Sequence, residues 1–386
     1  MPRNRLALFI AALVIIFAAT SAFAAPVRPA HNIVAYVFAH NAALPPGLVD
    51  ARAVTRFNYA FANIKDGRII TGSDEDANNL ASLVALRKVN PSLTILVSVG
   101  GWLWSTDFSD VALTKDSRAR FIQSVMDFLI LYHLDGLDID WEYPGMAGSG
   151  HPFRAEDKRN FTLLLKELRK RFEAETQKHG RSLYLTIAAG ASDEYLAHTE
   201  MANASKYVDT VNLMAYDYYE PGSGPLTGNH APLFTNPADP MKISGDASVK
   251  AFQRAGVPAA KIILGVPFYG HTWGEVADRE HGLFQPGKPI PNAYAPYSLI
   301  ETTMLDHGFT RFWDSTASVP YLYSADRHVF VSYEDPQSIA AKCSYVLTHK
   351  LGGVMFWDYS SDPSGKLLGA INQSLYSSPD RYGIAR

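Results

Sequence analysis

Beyond the first two dozen residues, short apolar or β-branched runs alternate with longer stretches in which apolar residues recur every three or four positions. The short runs are Ile33 to Phe38, Phe57 to Ala62, Leu93 to Val99, Gly136 to Glu142, Leu183 to Ala189, Val208 to Tyr216, Ile262 to Phe268 and Val354 to Asp358. The spacing predicts a helix over about Ala155 to Gly180, where Phe161, Leu164, Leu165 and Leu168 share one face and Gly180 supplies the stop. Glu75 to Lys88, Ser117 to Leu131, Ala247 to Ala255 and Ser338 to Leu351 read as helices too. Strands alternating with helices build a parallel sheet. Eight such strands closing on themselves give an α/β TIM (β/α)8 barrel, whose active sites lie at the C-terminal ends of the strands.

One interval breaks the alternation. About 85 residues separate Phe268 from Val354, far more than a connecting loop needs. Within it, Leu322-Tyr323 and Val329 to Tyr333 read as antiparallel strands around an Ala325-Asp326-Arg327 turn, and Leu299 to Met304 as a short helix or strand. The expected organisation is a barrel over 27–272 and 336–376, with a small α+β insertion over 273–335 between strands seven and eight. The insertion is expected to be a dispensable wall.

The fourth run carries the chemistry. In a strand, residues two apart share a face, so Asp138, Asp140 and Glu142 point one way and Leu137, Ile139 and Trp141 the other. Three acids that close disfavour joint ionisation, so one proton is shared or retained near neutral pH, as general acid catalysis requires. A calcium site would set its acids on a turn with Asn and Gly between them. A solvated edge strand would not put Ile139 and Trp141 together on its other face. Pro144-Gly145 ends the strand and leaves Glu142 at its C-terminal end.

Asp135-x-x-Asp138-x-Asp140-x-Glu142, continued by Tyr143-Pro144, resembles the signature of the glycoside hydrolase family 18 chitinases. Ser98-Val99-Gly100-Gly101-Trp102, Met214-Ala215-Tyr216-Asp217, Phe268-Tyr269-Gly270 and Met355-Phe356-Trp357-Asp358 are similar to further family motifs at other strand ends. The resemblance implies a retaining enzyme acting on chitin or N-acetylglucosamine oligomers, in which the substrate's own acetamido group is the nucleophile. It makes Glu142 the general acid, Asp140 the residue that orients the acetamido group, and Asp138 the partner sharing Asp140's proton and charge. Tyr216 would hold the attacking carbonyl, and Asp217 would be an acid near Glu142. Ser98 and Tyr36 would support Asp138, and Trp357 would floor the sugar before the scissile bond. Phe61, Gly101, Trp102, Tyr143, Met214 and Tyr269 complete the expected substrate-binding set, and His271 receives no role. Peptidoglycan and N-glycan cores remain alternative substrates. A chitin-binding lectin on the same barrel is the other reading, disfavoured because Glu142 is present.

Composition and the chain's start add four points. A net charge of −3 without long basic runs argues against nucleic acid as a partner. Arg3 and Arg5, the apolar run Leu6 to Ala19 and the small-x-small Ala22-Phe23-Ala24 read as a signal peptide over 1–24, so a secreted protein, extracellular or periplasmic, is expected, with no membrane attachment after cleavage. With Cys343 as its single cysteine the chain forms no internal disulfide and relies on its core. The twelve histidines show no metal-ligand spacing, so neither metal nor cofactor is expected, and the protein is expected to be a monomer.

Overall fold

The computed structural model describes residues 31–376; the expected signal peptide lies outside them. Eight parallel strands close into a barrel: Asn32–Phe38, Arg56–Lys65, Thr94–Gly100, Gly136–Asp140, Tyr184–Gly190, Thr210–Met214, Ile262–Pro267 and Gly353–Trp357. Closure is direct, because the first strand pairs with both the second and the last. All eight expected strands are present, shifted by a few residues at their ends.

The alternation reflects two cores. Leu137, Ile139 and Trp141 point outward into the layer shared with the helices, where Trp141 stacks on Phe108 at 5.3 Å and meets Phe161 edge-on at 5.8 Å. Phe108 opens the helix Phe108–Leu113, and Phe161 lies on Asp157–His179. The latter ends at Gly180, in the left-handed region at φ 69°, as the apolar spacing predicts. Inside the barrel, Val34, Tyr36, Ala60, Ile263 and Met355 form a smaller core beneath the strand ends. Among the described residues no helix is long and apolar enough to cross a membrane.

Within the long interval, 269–332 folds into a five-stranded antiparallel sheet with the short α-helix Tyr297–Thr303, and the helix Pro336–Thr348 leads back to the barrel. Its strands are Tyr269–Gly274, Lys288–Pro296, Thr310–Asp314, Val319–Ser324 and Val329–Ser332. The sheet starts at Tyr269, four residues before the expected boundary at Trp273. The barrel strand stops at Pro267, and the chain re-enters regular structure at Tyr269, paired to the insertion. Nor is the sheet a detachable wall. Ala295, Tyr297, Ile300, Leu322, Val331 and Tyr333 belong to the same continuous apolar core as the barrel strands.

Where the insertion rejoins the barrel, Glu334 and Lys342 form a fully buried ion pair. Ser338 Oγ donates to Glu334 at 2.6 Å, and Lys342 Nζ donates to the Ala231 carbonyl at 2.6 Å. Removing one partner of such a pair strands the other charge in the interior. Lys342→Met should therefore cost about 3–5 kcal/mol in denaturant unfolding, and adding Glu334→Gln should restore part of that loss.

Candidate active site

The C-terminal ends of the strands surround a cleft of about 620 Å³, within the range of small-molecule sites. Of the expected residues, Tyr36, Phe61, Trp102, Asp140, Glu142, Tyr143, Met214, Tyr216, Asp217, Tyr269 and Trp357 line it. Asp138, Ser98 and Gly101 do not line it. Ser98 and Gly101 are placed beneath the surface rather than among the substrate contacts. A Cβ on Gly101, at φ 83°, would meet the Phe61 ring at 2.7 Å, so its backbone is the seat on which that ring rests.

Asp138 is the buried foundation. Its Oδ2 accepts from Tyr36 and Ser98, both at 2.8 Å, as the resemblance implies. Its Oδ1 accepts from Thr186 at 2.5 Å and Asn212 at 3.1 Å, two donors that single residues in a strand do not announce. Register sets them: Ser98, Asp138 and Thr186 stand side by side across three strands. Burial pushes the Asp138 carboxyl upward, and the Thr186, Ser98 and Tyr36 hydrogen bonds and the buried Arg56 guanidinium pull it back. With donors on both oxygens, the ionised form is the one this cage fits.

Asp140, one step further out, is the reverse. Its Oδ1 is buried without a hydrogen-bond partner. Burial, then the charges of Glu142 and Asp138, hold its carboxyl well above the usual range. Four donors already occupy Asp138, so electrostatic repulsion, with no hydrogen bond between the two acids, couples it to Asp140.

Glu142 lies two residues beyond the strand, which ends at Asp140 rather than at Glu142 as expected. Its N–H donates to Ser105 Oγ at 3.0 Å, and that hydroxyl faces the Gly101 and Asp140 carbonyls at 2.9 and 3.2 Å. Ser105, absent from the sequence reading, thus pins the backbone that aims the acid. Burial pushes Glu142 up to about 7; a Tyr143 hydrogen bond opposes this, and the Asp217 and Glu220 charges add to it.

Tyr216 presents a hydroxyl whose partner is the Met355 sulfur at 3.9 Å, a contact a ligand oxygen replaces at little cost. Trp357 lies on Phe61, stacked at 5.5 Å, with Phe38 and Tyr36 at 5.5 and 5.9 Å. Trp102 is half exposed, edge-on to Tyr143 at 6.4 Å. Asp217 accepts from Tyr269 at 2.7 Å on each oxygen and pairs with His271 Nε2 at 2.8 Å. Burial alone would raise Asp217, yet the approach of the His230 imidazole at 3.5 Å and the His271 hydrogen bond bring it well below the usual carboxylate range. Asp135, in contrast, lies at the opposite end of the strand, where it accepts from Arg87 and from the Ile95 N–H at 2.9 Å; its place in the motif is structural.

A closed (β/α)8 barrel with graded acids at its strand ends is the frame of a glycosidase. The chain belongs to the glycosyl hydrolases family 18, whose sequence model matches residues 32–362. It is 39% identical over 330 residues to Chitinase A1 of Niallia circulans, covering 81% of this chain and 47% of that protein, so it spans about half the relative's length. A family 18 N-acetylglucosaminidase from Paenibacillus barengoltzii superposes with a TM-score of 0.81 at 40% identity, over 89% of this chain and 99% of that one. A mutant class V chitinase from Nicotiana tobaccum, solved in complex with NAG4, superposes with a TM-score of 0.82 at 29% identity, over 90% of this chain and 99% of that one.

The raised acid has a consequence for stability. Between the ordinary value of 4.5 and about 7, folded Glu142 keeps a proton that the unfolded chain has released. Its contribution to stability is therefore complete below 4.5 and lost as pH rises through 7. Glu142→Gln should melt with the wild type at about pH 4 and above it at about pH 8 in calorimetric scans.

Proposed function

We propose that this protein is a secreted chitinase that hydrolyses β-1,4 bonds between N-acetylglucosamine units, with retention and without a protein nucleophile. The observation that carries the mechanism is the unpartnered, buried Oδ1 of Asp140 beside an acid poised near neutral pH. Glu142 donates its proton to the glycosidic oxygen, and the bond to the anomeric carbon breaks. The acetamido carbonyl oxygen attacks that carbon, forming an oxazolinium ion held by Tyr216. Asp140 accepts the acetamido N–H, which satisfies its bare oxygen and orients the carbonyl for attack. Water activated by the Glu142 carboxylate then opens the ring, and the acid recovers its proton.

A covalent sugar–enzyme route needs a second carboxylate across the ring. Asp140 and Glu142 leave one strand on the same face. Asp217 reaches the cleft, but Tyr269 and His271 occupy its oxygens. A mimic of the oxazolinium ion should therefore inhibit competitively, and cellulose oligomers, which lack the acetamido group, should be inert. An intact-protein mass shift from a trapped sugar would overturn the mechanism.

Likeness to the N-acetylglucosaminidase supports a second reading, release of single N-acetylglucosamine units. Mass analysis of early products from chitin hexamer separates it from internal cleavage; peptidoglycan and a high-mannose glycoprotein in parallel test the other polymers. Glu142→Gln should cut kcat about 10²-fold or more with substrate still bound, and near-normal turnover would remove Glu142 from its role. The kcat/KM profile should fall on the alkaline side through about 7, where Glu142 loses its proton. Export follows from the leader-like first 24 residues, and N-terminal sequencing of protein recovered outside the cytoplasm should start at Ala25.

A further inference from the structure

The histidines, which show no metal-ligand spacing along the chain, come together in space. His230 and His271 converge on Asp217 from positions 13 and 54 residues downstream of it. We propose that these three side chains form a binding site for a divalent transition ion of the zinc class, opening onto the cleft beside the catalytic acid.

The geometry is that of a site nearly assembled. His271 Nε2 lies 2.8 Å and His230 Nδ1 3.5 Å from the same atom, Asp217 Oδ1, and all three ligand atoms fall within 4.8 Å of one another. Tetrahedral zinc with bonds of about 2.0–2.1 Å wants ligand atoms about 3.3 Å apart, a spacing these two distances straddle. Tyr269 is shared between the two Asp217 oxygens at 2.7 Å each, so its hydroxyl can keep Oδ2 and hold the carboxylate oriented while Oδ1 turns to a metal. Glu220 stands 3.9 Å from His271 Nε2 on the open side, where it or water would fill the fourth position.

A second observation points to a missing partner. His230 is fully buried, and neither of its ring nitrogens has a hydrogen-bond partner. Its 3.5 Å approach to Asp217 falls short of a good hydrogen bond. An imidazole buried in that state is costly unless something coordinates it. The nearby Lys342 does not repel an incoming cation strongly, because Glu334 pairs with it. Two imidazoles and one carboxylate suit zinc, cobalt, nickel or copper and disfavour magnesium or calcium. A cation bound there would cancel the Asp217 charge that helps Glu142 keep its proton, so occupancy should inhibit. That consequence rests on the hydrolytic reading above; the binding does not.

Isothermal titration of zinc chloride into the full chain, in a non-coordinating buffer near neutral pH, tests the site without using activity. One saturable zinc per chain is expected, with His271→Gln and His230→Gln each weakening it at least about tenfold and Glu142→Gln binding like the wild type. Cobalt should give the visible absorption of a tetrahedral site in the wild type and lose it in His271→Gln; magnesium should give no binding heat. If His230→Gln fails to fold, His271→Gln decides alone. The absence of a saturable zinc, or wild-type affinity in His271→Gln, would overturn the site. Zinc that binds without slowing hydrolysis would overturn the link to Glu142.

Discussion

The structure turns on keeping one carboxylate charged in the middle of a barrel. An isolated carboxylate with no exposure would take up a proton rather than stay ionised. Asp138 escapes because the first, third, fifth and sixth strands each contribute a donor: Tyr36, Ser98, Thr186 and Asn212. The Arg56 guanidinium, buried near the start of the second strand and tied to Thr210 at 3.0 Å, supplies the balancing charge from deeper in the barrel. Burial, then the Glu142 and Asp138 charges, raise the next acid, and burial with the Asp217 and Glu220 charges brings the one after it to about 7. One strand thereby carries three acids of one chemical kind in three different environments. The gradient follows depth: a caged acid, an unpartnered acid and an acid at the rim.

Much of this was legible because alternation needs no tertiary information. Asp138, Asp140 and Glu142 declare their common face through a period of two, and the apolar residues between them declare the opposite one. The eight strands were legible for the same reason, being short apolar runs between longer helical spacings. Thr186 and Asn212 were hidden, because a lone Thr or Asn in a strand is ordinary and its partner is set by register across the barrel. Ser105 and Arg56 were hidden likewise. His230 lies in the long segment after the sixth strand, where no period marks its destination. The insertion boundary slipped because Phe268-Tyr269-Gly270 is continuous in apolar character, while the backbone leaves one sheet at Pro267 and joins another at Tyr269.

That boundary matters for chemistry. Tyr269 and His271 stand on the first strand of the insertion, and they hold Asp217 at the end of the sixth barrel strand. Asp217 itself sits in the left-handed region at φ 59°, a conformation that Asp tolerates better than most residues. Its orientation and its charge therefore depend on a sheet outside the barrel, and the Asp217 charge is one of those that raise Glu142. The insertion thus does two things through two neighbouring strands: Tyr294, stacked on Tyr269 at 4.5 Å, carries the cleft wall outward, and the Tyr269 hydroxyl donates to Asp217, whose charge acts on Glu142. A change in how that sheet packs on the barrel would alter wall shape and acid strength together. Cleft shape and the charge beside Glu142 are coupled here by hydrogen bonds of 2.7 and 2.8 Å, with no moving part required.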